Sequence, residues 1–200
     1  LLIEKVDALN NNGGAGIFLA GPINDVMIDS VRASNHSNIN GAARGIVIWD
    51  ALKTRITIQN SIVENNSCCG IELQDGNASG VTIKNNTISG VDNGIGLIGL
   101  TSGAGPNIIE GNQVTITGGR FGIEIKNPNG TGSTNDTEDG AIIVRNNNVQ
   151  LASTTDSRDL AGIAVFRRGV TSGNADAPMG VAVMNNTVSN FTQPSVSEGF

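Results

Sequence analysis

Asp50, Asp75, Lys126 and Arg167 are the side chains whose types and spacing best suit shared chemistry. Asp50 and Asp75 close two short apolar stretches, GIVIWD and GIELQD, while Lys126 and Arg167 lie at the ends of GIEIKN and GIAVFR. If such stretches stack, the two aspartates come one repeat apart. Two carboxylates so placed can hold Ca²⁺ through oxygen ligands or divide acid and base roles in glycoside cleavage. Lys126 and Arg167 would neutralise an acidic sugar or act as the base of an elimination. Trp49, Glu72, Gln74, Glu124 and Phe166 fall beside them as candidate ligand contacts. No cofactor is required, and calcium at Asp50 and Asp75 is the metal this set would take. Each residue also has an ordinary role: Asp after a strand serves turns, and GIGLIGL interrupts the charged cluster. His36, inside SNHSN, reads as a solvated loop residue.

What must position these groups is a repeat. Gly-apolar pairs recur at Gly16, Gly45, Gly70, Gly94, Gly122 and Gly162, roughly 24–40 residues apart, a period that signals stacked units. Each opens a segment of period-two alternation, which is a strand with one buried face. Second segments such as RITIQNSIV, VTIKNNTI and IIVRNNNV follow, and LLIEKVDA at the start matches a second segment without its first. The expected unit is strand, turn, strand, bend, strand.

A lone strand of this kind cannot hide its apolar face, but stacked copies can. Stacking at about 4.8 Å would put Ile17, Ile46, Ile71, Ile95, Ile123 and Ile163 in one internal column. Leu19, Ile48, Leu73, Leu97, Ile125 and Val165 would make a second. The glycines are expected to serve the bend into the first strand. Asn60, Asn85, Gly111, Asn146 and Asn185 mark a corner. One place on, Ser61, Asn86, Asn112, Asn147 and Asn186 supply a column in which an amide ladder is expected. Lys84, Glu110 and Arg145 align as an outward charge ladder. The fold class is all-β: a right-handed parallel β-helix of about six coils spanning 1–200.

Composition agrees. Aromatics are 3% with no Tyr, so the core must come from Ile, Val and Leu, which suit strands. The net charge of −6 argues against a nucleic-acid partner, which would need a basic footprint. No apolar run approaches the ~20 residues of a membrane span. Adjacent Cys68 and Cys69 lie closer along the chain than ordinary disulfide geometry allows, which favours one thiol inward and one outward over a vicinal bridge.

The GIxL…VTIxNNTI pattern resembles the single-stranded right-handed β-helix superfamily typified by pectate lyases, over essentially the whole chain. That resemblance implies an extracellular or cell-surface protein, and it implies that the outer face of the first strands carries any substrate groove. It does not choose an activity. Two functions are expected from different classes: a rigid structural, adhesive or filament-forming element, or a secreted lyase, hydrolase or epimerase acting on polysaccharide. The partners implied are a polysaccharide or surface glycan, and neighbouring coils or copies of the chain. A start in mid-coil and a fresh Gly199-Phe200 pair suggest a segment cut from a longer solenoid at both ends. Excursions at 127–140, 152–161 and 167–180 read first as tolerated surface insertions and, as the alternative, as walls of a groove around Lys126 and Arg167.

Overall fold

The computed structural model describes residues 1–38, 41–129, 135, 137, 138, 140–154, 160–166 and 180–192. Arg167, Gly199-Phe200 and parts of all three excursions lie outside them.

Period-two alternation becomes short strands, and each coil lays down one strand in each of three sheets. The first sheet contains Ala15–Ala20, Arg44–Trp49, Cys69–Gln74, Asn93–Ile98, Phe121–Lys126 and Ala161–Phe166. The second runs from Leu2–Glu4 through Ile23–Asp29, Lys53–Gln59, Ala78–Lys84, Asn107–Glu110 and Ile142–Arg145 to Val181–Met184. The third contains Asp7–Leu9, Arg32–Ser34, Ile62–Glu64, Thr87–Val91, Gln113–Thr117, Asn148–Ser153 and Thr187–Ser189. Pairing is parallel, coil on coil, in a right-handed all-β solenoid.

The register is that of the repeat. Ile17, Ile46, Ile71, Ile95, Ile123 and Ile163 are successive partners, and so are Leu19, Ile48, Leu73, Leu97, Ile125 and Val165. From Ile46 to Ile123 and from Ile48 to Ile125 these columns are fully buried. Each such side chain contributes roughly 1.5–3 kcal/mol relative to exposure. Val63, Ile88, Val114 and Val149 of the third sheet meet them inside.

The glycines play a different part from the expected one. Gly45, Gly70, Gly94 and Gly122 do not adopt left-handed φ. A β-carbon on any of them would strike a γ-carbon of Val63, Ile88, Val114 or Val149, and the carbonyl oxygen of the glycine one coil on. Close approach of two sheets, rather than bend conformation, excludes a side chain there.

The corner column does adopt left-handed φ, at Asn60, Asn85, Gly111, Asn146 and Asn185. Beside it the amide ladder runs along the axis: Asn86 Nδ2 donates to Asn112 Oδ1 at 3.0 Å, Asn112 to Asn147 at 2.9 Å, and Asn147 to Asn186 at 2.9 Å. The same Nδ2 groups also bond the carbonyls of Ile58, Ile83 and Ile109, so buried amides and peptide groups satisfy one another. Glu110 pairs with Arg145 at 3.1 Å in the outward charge column. Hydrogen bonding from Arg145 holds the Glu110 carboxyl below its usual range.

Two expectations are corrected. Cys68 and Cys69 are joined by a disulfide. Alternation governs residues within a strand, and Cys68 precedes the strand that Cys69 begins, in a bend. His36 is not solvated: it is 1% exposed. Its backbone N–H donates to Asn66 Oδ1 at 3.0 Å, and its Nδ1 accepts from the Asn11 N–H at 3.1 Å. Its ring fills the space left by the absent side chain of Gly16.

Candidate functional site

The outer face of the first sheet stacks Phe18, Val47, Glu72, Gly96, Glu124 and Ala164 in one column, with Trp49 beside Gln74, and Lys126 beside Phe166. On the first two coils this face borders a cleft of about 730 Å³. Phe18 and Trp49 form one wall, their ring centroids 6.4 Å apart and their planes inclined by 58°. Asn10, Asn11, Asn12 and Asn38 also line it; Asn11 Nδ2 donates to the Ala15 carbonyl, Asn12 Oδ1 accepts from the Ser37 hydroxyl, and Asn38 Oδ1 accepts from the Ala42 N–H. The Arg44 guanidinium lies 5.2 Å from the Trp49 ring centroid, within cation–π range.

Hydrogen bonds fix the aromatic wall from behind. The Trp49 indole N–H donates to Asp75 Oδ2 at 2.6 Å, tying one coil to the next. Arg44 Nε pairs with Glu72 Oε2, and Gln74 Nε2 donates to the same oxygen at 2.8 Å. Arg44 also donates through Nη1 to the Ala42 carbonyl at 2.9 Å. Trp49, Glu72, Gln74 and Asp75 therefore come together, with Arg44 as their hub.

Asp50 and Asp75 follow stacked strands and both adopt left-handed φ. The positive charge beside them is the ammonium of Lys53, a residue with 0% exposure. Its Nζ donates to the Ala51 carbonyl at 3.1 Å and to the Asp75 carbonyl. Burial pushes this ammonium's pKa down, while Asp75 and then Asp50 oppose the shift.

Lys126, Glu124 and Phe166 lie farther along the axis. Phe166 packs against Phe121 with centroids 5.6 Å apart, and Arg120 sits 4.8 Å from the Phe121 centroid. Gly96 separates Glu72 from Glu124, and carboxylate oxygens of both lie 3.8 Å from where a Gly96 β-carbon would stand. Arg167 lies outside the described residues. Lys126 is thus on a different part of the face from Trp49 and Asp75, two coils away from the latter.

Phe18, Arg44, Lys53 and the Asn10–Asn12 run are site residues that the spacing argument did not assign. Extending the register one residue upstream of each glycine would have shown Arg44 directly over Cys69. The run NNNGG just before the first strand was a second available signal.

Among the described residues no helix is long and apolar enough to cross a membrane. Neither the curated proteins nor the solved structures include a significant match to this chain. The family model for the right-handed β-helix region matches residues 6–114, which contain the Trp49 wall and its supporting groups. With the model covering more than half the sequence and the coils stacked as it requires, the chain belongs to the right-handed β-helix family.

Proposed function

We propose that the chain is a non-catalytic, glycan-binding β-helix of the cell exterior, with an adhesive role. The observation that carries this reading is the Phe18–Trp49 wall, backed by Arg44, in one cleft that Asn10, Asn11, Asn12 and Asn38 also line. An apolar sugar face stacks on an indole, and amides bond the hydroxyl edge. This is the usual division of labour in a small-ligand cleft, apolar walls with a few oriented polar groups. The solenoid adds rigidity, so the wall is preorganised and little ordering accompanies binding. Between the adhesive and filament-forming roles, a cleft facing outward favours the adhesive one.

Trp49 is the chain's single tryptophan, so its fluorescence reports directly on the cleft. Screening against a broad panel of plant, microbial and animal polysaccharides tests the proposal. Saturable binding with a change in Trp49 emission supports it. Absence of binding across the panel overturns it.

A polysaccharide-cleaving role draws support from a separate feature, the approach of Glu72 and Glu124 over Gly96. Two carboxylates flanking a sugar bond can serve as acid and base or nucleophile. Release of reducing ends, abolished by Glu124→Gln, would favour that reading over the adhesive one.

A further inference from the structure

One cluster beside the Trp49 wall contains two side chains, Cys68 and Cys69, that the glycan reading does not use. The Sγ atoms of Cys68 and Cys69 and a carboxylate oxygen of Glu72 all lie within 4.8 Å of one another. Cys69 is 2% exposed and Cys68 is half-buried, so the pair is sheltered but reachable from one side. Both Arg44 and Gln74 bond Glu72 through Oε2, and Oε1 accepts from neither.

We propose that Cys68, Cys69 and Glu72 form a reduction-gated site for a thiophilic divalent cation of the Zn²⁺ class. The disulfide has no thiolate to offer, so the oxidised protein is the closed state. A phosphine or dithiol reductant supplies two electrons. With a phosphine, water provides the oxygen: the S–S bond breaks, two thiols form, and the phosphine leaves as its oxide. The cation then displaces both thiol protons, forming two metal–sulfur bonds, and the Glu72 carboxylate adds an oxygen ligand. Thiolate sulfur is the preferred donor for such ions, and a carboxylate commonly completes the set. Charge also closes: two thiolates and one carboxylate balance the divalent ion together with the Arg44 guanidinium. A fourth position remains for water on the exposed side.

The site shares Glu72 and Arg44 with the support of the Trp49 wall, but its test needs no glycan and uses Cd²⁺ as the probe. The purified chain is reduced with a phosphine, freed of reductant without air, and titrated with Cd²⁺. Thiolate-to-metal ultraviolet absorbance and proton release are followed. The expected result is one equivalent bound with release of protons, none in the unreduced protein, and binding about tenfold or more weaker in Glu72→Gln. The unreduced wild type serves as a control that needs no mutation, and circular dichroism checks that Glu72→Gln is folded. Equal Cd²⁺ binding by reduced and oxidised protein would overturn the proposal. So would undiminished affinity in folded Glu72→Gln, because the carboxylate would then not be a ligand.

Discussion

The indole nitrogen of Trp49 and the carboxylate of Asp75, 2.6 Å apart, bridge two successive coils at the edge of the cleft. Asp75 thereby acts on the cleft through Trp49, whose ring forms the wall. Replacing Asp75 with Ala should change the Trp49 emission and weaken glycan binding severalfold. The loss of stability should stay near the ~0.5–1.5 kcal/mol of one ordinary hydrogen bond. Fluorescence, a binding titration and urea denaturation read the three effects separately.

The amide ladder should be far less forgiving. Asn112 donates to Asn147 and to the Ile83 carbonyl, and its Oδ1 accepts from both the backbone and side chain of Asn86. Asn112→Leu leaves several buried groups without partners, at about 1–3 kcal/mol each. The expected destabilisation is at least ~3 kcal/mol by urea denaturation. By contrast, Arg32→Ala, which removes an exposed pair with Glu64, should cost well under ~1 kcal/mol.

His36 predicts an acid limb of stability. Burial lowers its pKa from 6.5, partly offset by the Ala8 carbonyl. The unfolded chain therefore takes up the proton first as pH falls. The stability from His36 is fully present above pH 6.5 and is lost between 6.5 and the lower folded-state value. Denaturation midpoints measured from pH 7.5 down to 4.5 should fall more steeply in the wild type than in His36→Asn.

Lys53 predicts an alkaline limb of the same sign. Its folded-state pKa lies below the ordinary 10.5, so the unfolded state binds the extra proton in the intervening window. Stability should rise with pH across that window and level off above 10.5. Lys53→Met should remove this rise, as measured by urea midpoints between pH 8 and 11.

The contrast between Ile56 and Lys53 shows where the sequence could and could not be read. Alternation in RITIQN points Ile56 and Ile58 inward, and both are fully buried. Counting back by twos places Lys53 outside. Arg55, at φ 53°, inserts a left-handed residue that reverses the alternation and turns Lys53 inward. Asp25 and Gly80 hold the same place in the adjoining coils with φ 54° and 63°, so the irregularity is itself stacked. The core columns were legible because an aliphatic repeat has one favourable register. Arg44 keeps the register, over Cys69, but alternation counted back from Ile48 and Ile46 turns it inward, whereas it meets Glu72 and Trp49. The roles of Asp50, Asp75, Glu72 and Glu124 depend equally on side-chain partners, and spacing alone does not contain these. His36 was misread for a related reason: a polar residue in a polar stretch gave no sign that the Gly16 vacancy would receive its ring.

Calorimetric titration of Trp49→Ala beside the wild type, using a polysaccharide fragment identified by the screen, tests the central claim most directly. The wild type should bind saturably and the variant at least about tenfold more weakly, the ~1.4 kcal/mol expected when a principal anchor is removed. The variant should stay folded by circular dichroism, with stability in urea denaturation lowered by at least the ~0.5–1.5 kcal/mol of the lost Asp75 hydrogen bond. Binding of the fragment with unchanged affinity by folded Trp49→Ala would contradict the claim.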